Sequence, residues 1–120
     1  MNKMIATGTI VDNEAVTIAA SVYVDLDEEG KESTEAGAHY VTISYKKYNV
    51  DAMPTAPITF EDIAEDASLS GSAAGSLVVP GLDKHADVTL AAPTAIKYTK
   101  TKAFVYGGKA QVYAAIRYNY

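Results

Sequence analysis

The chain has 120 residues, 48% of them hydrophobic, with 10 basic and 15 acidic side chains, a formal charge of -5 and a pI of about 4.8. This is the size and composition of one globular domain with its own core rather than of a disordered chain, and the acidic balance argues against a general nucleic-acid binder. No cysteine is present, which excludes disulfides, thiolate metal sites and thiol catalysis, and no apolar run reaches the ~18 residues of a membrane span.

Along the chain the period is two almost everywhere. Met1-Asn2-Lys3-Met4-Ile5 has neither the long apolar core nor the cleavage site of a signal peptide, so cytoplasmic synthesis is expected. Residues 4–11 read as a strand, and Asp12-Asn13-Glu14 suits a hairpin turn. In residues 15–25, Val16, Ile18, Ala20, Val22 and Val24 fall on one face; Thr17, Ala19, Ser21, Tyr23 and Asp25 fall on the other. That is a half-buried strand rich in β-branched residues. An acidic loop follows at 25–37. A third strand over 39–50 sets Val41, Ile43 and Tyr45 against Tyr40, Thr42, Ser44 and Lys46. Pro54 and Pro57 then break the chain.

Residues 59–67 form the one plausible helix, capped by Thr59, with Glu61 and Asp62 in its first turn and Phe60, Ile63, Ala64 and Ala67 on one face; the window is short enough to be extended instead. Residues 68–76 read as a flexible Gly/Ser loop. Short strands are expected at Leu77-Val78-Val79 and Val88-Thr89-Leu90. The clearest element is the hairpin 94–106 and 109–120 about Gly107-Gly108, because glycine tolerates the positive φ of a two-residue turn. Ile96, Tyr98, Phe104 and Tyr106 share one parity of its first strand; Val112, Ala114, Ile116 and Tyr118 share one parity of its second. The expected fold is all-β: a single-domain antiparallel sandwich or barrel of about seven or eight strands with at most one short helix.

Charge is divided along the chain. Asp25, Asp27, Glu28, Glu29, Glu32 and Glu35 face the single base Lys31, which gives this stretch the whole net charge of -5. From Val88 onward there is no acid, and Lys97, Lys100, Lys102, Lys109 and Arg117 give +5. Such a split can steer the basic part of one copy onto the acidic loop of another; it is equally the layout of a solvated loop and scattered surface lysines.

Chemical motifs are few. Asp25, Asp27, Glu29 and Gly30 match the opening of an EF-hand loop, but Ala36 stands where the bidentate Glu belongs and the flanks read as strands. Asp25, Asp27 and Glu29 remain a weak candidate for loosely held Ca²⁺, and no cofactor is expected. His39 and His85 have no zinc-ligand spacing, and no Gly-x-Ser-x-Gly elbow accompanies them. Gly71-Ser72-Ala73-Ala74-Gly75-Ser76 lacks the Gly-Lys-Ser/Thr ending of a phosphate loop. No enzyme is expected. The 9 tyrosines are the most suggestive feature, since there is no Trp and 2 Phe, so some rings must serve the core. Tyr23 and Tyr113 have the wrong parity for it and are expected on a surface.

In composition and strand rhythm, over its whole length, the chain resembles the small virion proteins of tailed bacteriophages, of the capsid-decoration or tail type. The resemblance rests on Ala/Thr/Val-rich strands, absence of Cys, a Gly/Ser loop, divided charge and a final strand ending on tyrosine; no functional residue is carried over from it. It implies a non-enzymatic structural or assembly protein located in a virion. Its partners would be copies of itself or a larger shell or tube protein, without nucleic acid or membrane. The expected interaction residues are Glu28, Glu29, Glu32, Lys97, Lys100, Lys102, Tyr113, Tyr118 and Tyr120. A ligand-binding β-module for carbohydrate or a cell surface is the alternative.

Overall fold

Strict alternation of small apolar and polar residues decides the sheet. The computed structural model describes residues 1–67, 76–79, 88–91 and 98–119. These form β1 (Asn2–Asp12), β2 (Val16–Asp25), β3 (His39–Val50), α1 (Phe60–Asp66), β4 (Ser76–Val79), β5 (Val88–Ala91), β6 (Tyr98–Tyr106) and β7 (Lys109–Asn119). Five strands make one antiparallel sheet in the order β1-β2-β3-β7-β6, and β4 pairs with β5 in a separate hairpin. Val16, Ile18, Ala20, Val22 and Val24 of β2, Val41, Ile43 and Tyr45 of β3, and Val112, Ala114, Ile116 and Tyr118 of β7 are all buried. The register brings them into rows across one face, Ala20 beside Ile43 beside Ile116.

Helix α1 covers that inner face. The Thr59 hydroxyl accepts from the Asp62 N–H at 3.2 Å, and the Asp62 carboxylate accepts from the Thr59 N–H at 2.9 Å, a reciprocal capping box. Phe60, Ile63 and Ala64 then enter the core against the strands. The far end is tied to β3: the Tyr45 hydroxyl donates to the Asp66 carboxylate, which also takes the Lys47 ammonium at 3.1 Å.

Both tight turns use side-chain or glycine chemistry at the required positions. The Asn13 side-chain oxygen accepts from the Ala15 and Val16 N–H groups at 2.8 and 2.9 Å. Gly107 and Gly108 have φ of +60° and +81°, both in the region that suits a two-residue hairpin.

One expectation is corrected. Among the described residues the sheet does not close, because β1 and β6 lie at opposite edges. A barrel fails because closure that leaves room for interior side chains takes about eight strands, and here a helix fills the inner face instead. In β6 the inward side chain is Ala103, which packs against the core, whereas Phe104 is 52% exposed. Pairing of Ala103 with the inward Val112 fixes that orientation. The Gly/Ser loop at 68–76 lies outside the described residues apart from Ser76, which opens β4.

Two measurements follow. Ile116→Ala should cost about 2–5 kcal/mol in denaturant unfolding, by lost transfer energy plus a cavity, while Phe104→Ala should cost under about 1 kcal/mol. Alkali should also destabilise the fold. Burial pushes the Tyr118 phenol up from 10.0 to about 12. Burial, then the hydrogen bond to Asp66, pushes Tyr45 up as well. A folded value above the unfolded one leaves the stability intact below pH 10.0 and removes it as pH climbs through about 12. Absorbance titration should therefore find two tyrosines that ionise late, together with unfolding.

Candidate functional site

The opposite, outer face of the sheet is the one turned away from α1. Its β1–β2 half is smooth and small: Thr7, Thr9, Ala19 and Ser21, continued by Thr42 and Ser44 of β3. Hydroxyl contacts knit it, with Thr7 Oγ1 at 3.1 Å from Ser21 Oγ. The β3–β7–β6 half carries cations and rings. Tyr113 stands in register between Lys46 and Lys102. The Lys46 ammonium lies 5.9 Å from the Tyr113 ring centre, and the Phe104 ring lies 5.4 Å away on another side. Among the described side chains of this half there are Lys46, Lys102 and Arg117 and no acid.

At the other end of the same face a second cluster forms. Tyr23 and Tyr40 are cross-strand partners and stack at 5.2 Å, 16° from coplanar. The Arg117 guanidinium sits 3.9 Å from the Tyr40 ring centre, and Asn2 Nδ2 donates to the Tyr40 hydroxyl. These three neighbours leave Tyr40 only 4% exposed although it points away from the core. Sequence parity placed Tyr40 on this face but gave no sign of its burial, which depends on the register of three strands.

The acidic loop closes off this end of the sheet. Asp27 organises it: its Oδ1 accepts the N–H groups of Glu29 and Lys31, both at 2.9 Å, while its backbone pairs with Lys31 and Gly30. Gly30 has φ +80° in this turn. The loop is docked by Asn119 of β7, whose amide donates to the Gly37 carbonyl. Gly37 has φ +81°, and a Cβ there would stand 2.9 Å from the Asn119 nitrogen, so both conformation and space call for glycine. A cleft of about 650 Å³ lies along the loop, bordered by Asp25, Asp27, Glu28, Glu29 and Glu35.

The candidate residues separate accordingly. Glu28, Glu29 and Glu32 are exposed on the loop; Tyr113 and Lys102 lie on the outer face. Lys100 pairs with Ala115 in the β6–β7 ladder. Lys97, Tyr120 and His85 lie outside the described residues. Tyr118 is a correction: it is 4% exposed on the inner face, edge-on to Phe60 at 6.4 Å, and serves the core rather than a contact surface. Its parity with Ile116 and Ala114 dictates this. Asp25, Asp27 and Glu29 are not gathered as a cation site, and no group of three His, Asp or Glu converges among the described residues; Asp27 is engaged by backbone N–H groups and Glu29 lies 3.8 Å from Lys31.

No described helix is long and apolar enough to cross a membrane. Comparison with protein-family models, with curated proteins and with solved structures gives no match.

The Tyr40–Arg117 contact is measurable by a double-mutant cycle. Arg117→Ala should cost about 0.5–1 kcal/mol in the native background and markedly less in Tyr40→Ala, as a cation–π pair with an exposed cation requires.

Proposed function

We propose that the protein is a non-enzymatic assembly subunit, present in many copies, that lays the outer face of its sheet against another copy or a larger shell or tube. The observation that carries this is the division of charge within one fold. Lys46, Lys102 and Arg117 lie among aromatic rings on the outer face, and an acidic loop is docked at the end of that same face. A capsid-decoration or tail-type role in a phage virion is the setting that fits this layout and the strand composition. A sandwich is the architecture that goes with it, the β4–β5 hairpin belonging to a second layer.

The acidic loop of one copy meets the basic half-face of the next. Each exposed pair contributes at most about 1 kcal/mol. Repetition around a ring or lattice gives orientation and speed of association rather than large affinity per contact. A carbohydrate- or surface-binding module is the second reading, favoured by the adjacent Phe104 and Tyr113 rings.

Sedimentation velocity tests the proposal. Average mass should fall between about 0.02 and 0.5 M salt, because screening shortens the reach of exposed charges. Replacing Glu28, Glu29 and Glu32 by Gln should weaken association and flatten its salt dependence. Replacing Lys46 and Lys102 by Gln should do the same, and the two sets should be non-additive. A strict monomer under all conditions that binds immobilised glycans would favour the second reading.

A further inference from the structure

The two edges of the sheet are built differently. β1 is interrupted twice, with register shifts between Met4 and Ala6 and between Thr9 and Val11. Such bulges twist an edge and spoil it as a template for another strand. β6 has no such protection. Its ladder to β7 runs from Tyr98 to Tyr106 without a shift, and no described strand pairs with its free side. Its exposed described side chains are Lys102 and the apolar Phe104, 52% accessible, and Val105, 63% accessible. A long, regular edge with no described strand on it and with exposed apolar side chains is the kind that pairs with another chain.

Hydrogen-bond geometry narrows how. The two-residue turn at Gly107-Gly108 makes Tyr106 and Lys109 a hydrogen-bonded pair, so the even-numbered residues of β6 bond to β7. Thr99, Thr101, Ala103 and Val105 therefore turn their N–H and C=O groups to the free side. A second copy related by a two-fold axis normal to the sheet adds β6 antiparallel and keeps each face continuous. Centring that axis on Lys102 sets two ammonium groups against each other. Centring it on Ala103 sets Lys102 opposite the second copy's Phe104, Lys100 opposite its Tyr106, and Thr101 opposite its Val105. Lys102 and Phe104 then form a non-hydrogen-bonded pair, where facing side chains come closest. Lys102 meets a ring instead of another lysine.

We infer that two copies pair through β6 about Ala103, joining their sheets into one ten-stranded sheet with a single outer face. The partner is a second copy of this chain, selected by the self-complementary Lys–aromatic register. This inference rests on the assembly reading above and names one of its contacts, a contact made of backbone hydrogen bonds and apolar area. It differs from the charge contact in surviving salt. The dimer would then be the unit that the acidic loops and basic half-faces assemble further.

The test is sedimentation in about 0.5 M salt, where contacts between exposed charges are screened. The native chain should be a dimer. Val105→Pro removes a donor on the free side of β6 and leaves the β7 ladder intact, so it should raise the dimer dissociation constant at least tenfold with the circular dichroism unchanged. Phe104→Lys, which faces lysine with lysine, should do likewise. Adding Lys102→Glu to Phe104→Lys should restore the dimer, since opposite charges then face each other across the axis. Because the chain has no cysteine, Ala103→Cys gives a clean cross-link between copies under mild oxidation. Should Val105→Pro fail to fold, the Phe104→Lys loss and its restoration decide the matter. A dimer that persists in Phe104→Lys, or no restoration by Lys102→Glu, overturns the inference. If the native chain is monomeric in about 0.5 M salt yet associates at low salt, the assembly reading stands and the β6 pairing alone fails. A native chain that is monomeric at every salt concentration overturns both.

Discussion

Three neighbouring strands, β2, β3 and β7, present unbroken apolar rows on the same side of one sheet, and that side has to be covered. The rest of the fold follows from this requirement. A sheet that is apolar on one face and polar on the other cannot be stable until the apolar side leaves water. The cover is a helix of two turns, too short to hold itself together by its own hydrogen bonds. It is held at one end by the Thr59–Asp62 capping box and at the other by Asp66 against Tyr45 and Lys47. Polar groups fix the orientation here, and Phe60 and Ile63 supply the apolar area. The arrangement satisfies the Tyr45 hydroxyl at the core's margin, where an unpaired one would cost about 1–3 kcal/mol.

Once the inner face is committed to the helix, the outer face and the edges are what the sheet has left for contact with other molecules. The outer face is neither uniformly polar nor a cavity. Small side chains make one half flat, while lysine, arginine and tyrosine make the other half chemically distinctive. Tyr40 shows how firmly part of this face is built: a ring pointing away from the core is nonetheless enclosed by a ring, a guanidinium and an amide. A surface organised to that degree differs from a merely solvated sheet face, whose side chains are free to reorient.

Much of the fold was legible because alternation is a local signal. Val16 to Val24, Val41 to Tyr45 and Val112 to Tyr118 declared their inward faces by parity, and Gly107-Gly108 and Thr59 marked a turn and a helix start by their own stereochemistry. What was not legible depends on partners distant in sequence. Nothing local says that β7 enters between β3 and β6, or that Ala103 rather than Phe104 faces inward, since Ala103 is assigned only by its pairing with Val112. The candidate site divides in the same way. Tyr23 and Tyr113 were placed on the surface by parity, but the Tyr40 enclosure needs the register of three strands, and Lys47 with Asp66 meet only because the helix lands on β3. Tyr118 looked like a surface tyrosine by its place near the chain's end, although its own parity with Ile116 pointed inward.

The strand order has a temporal consequence. β3 acquires β2 as a neighbour across one loop, but its other neighbour, β7, begins at Lys109, about sixty residues after β3 ends at Val50, and closing so long a loop is entropically costly. During synthesis, the half-sheet β1-β2-β3 emerges first with its apolar face and one inner edge open. The central seam can close only after residues 109–119 have left the ribosome. Folding is thereby deferred until β7 has been translated, and slow, non-local pairing is built into the topology. In that interval the growing chain exposes its most apolar strands, and chaperones or early neighbours have their opportunity to meet it.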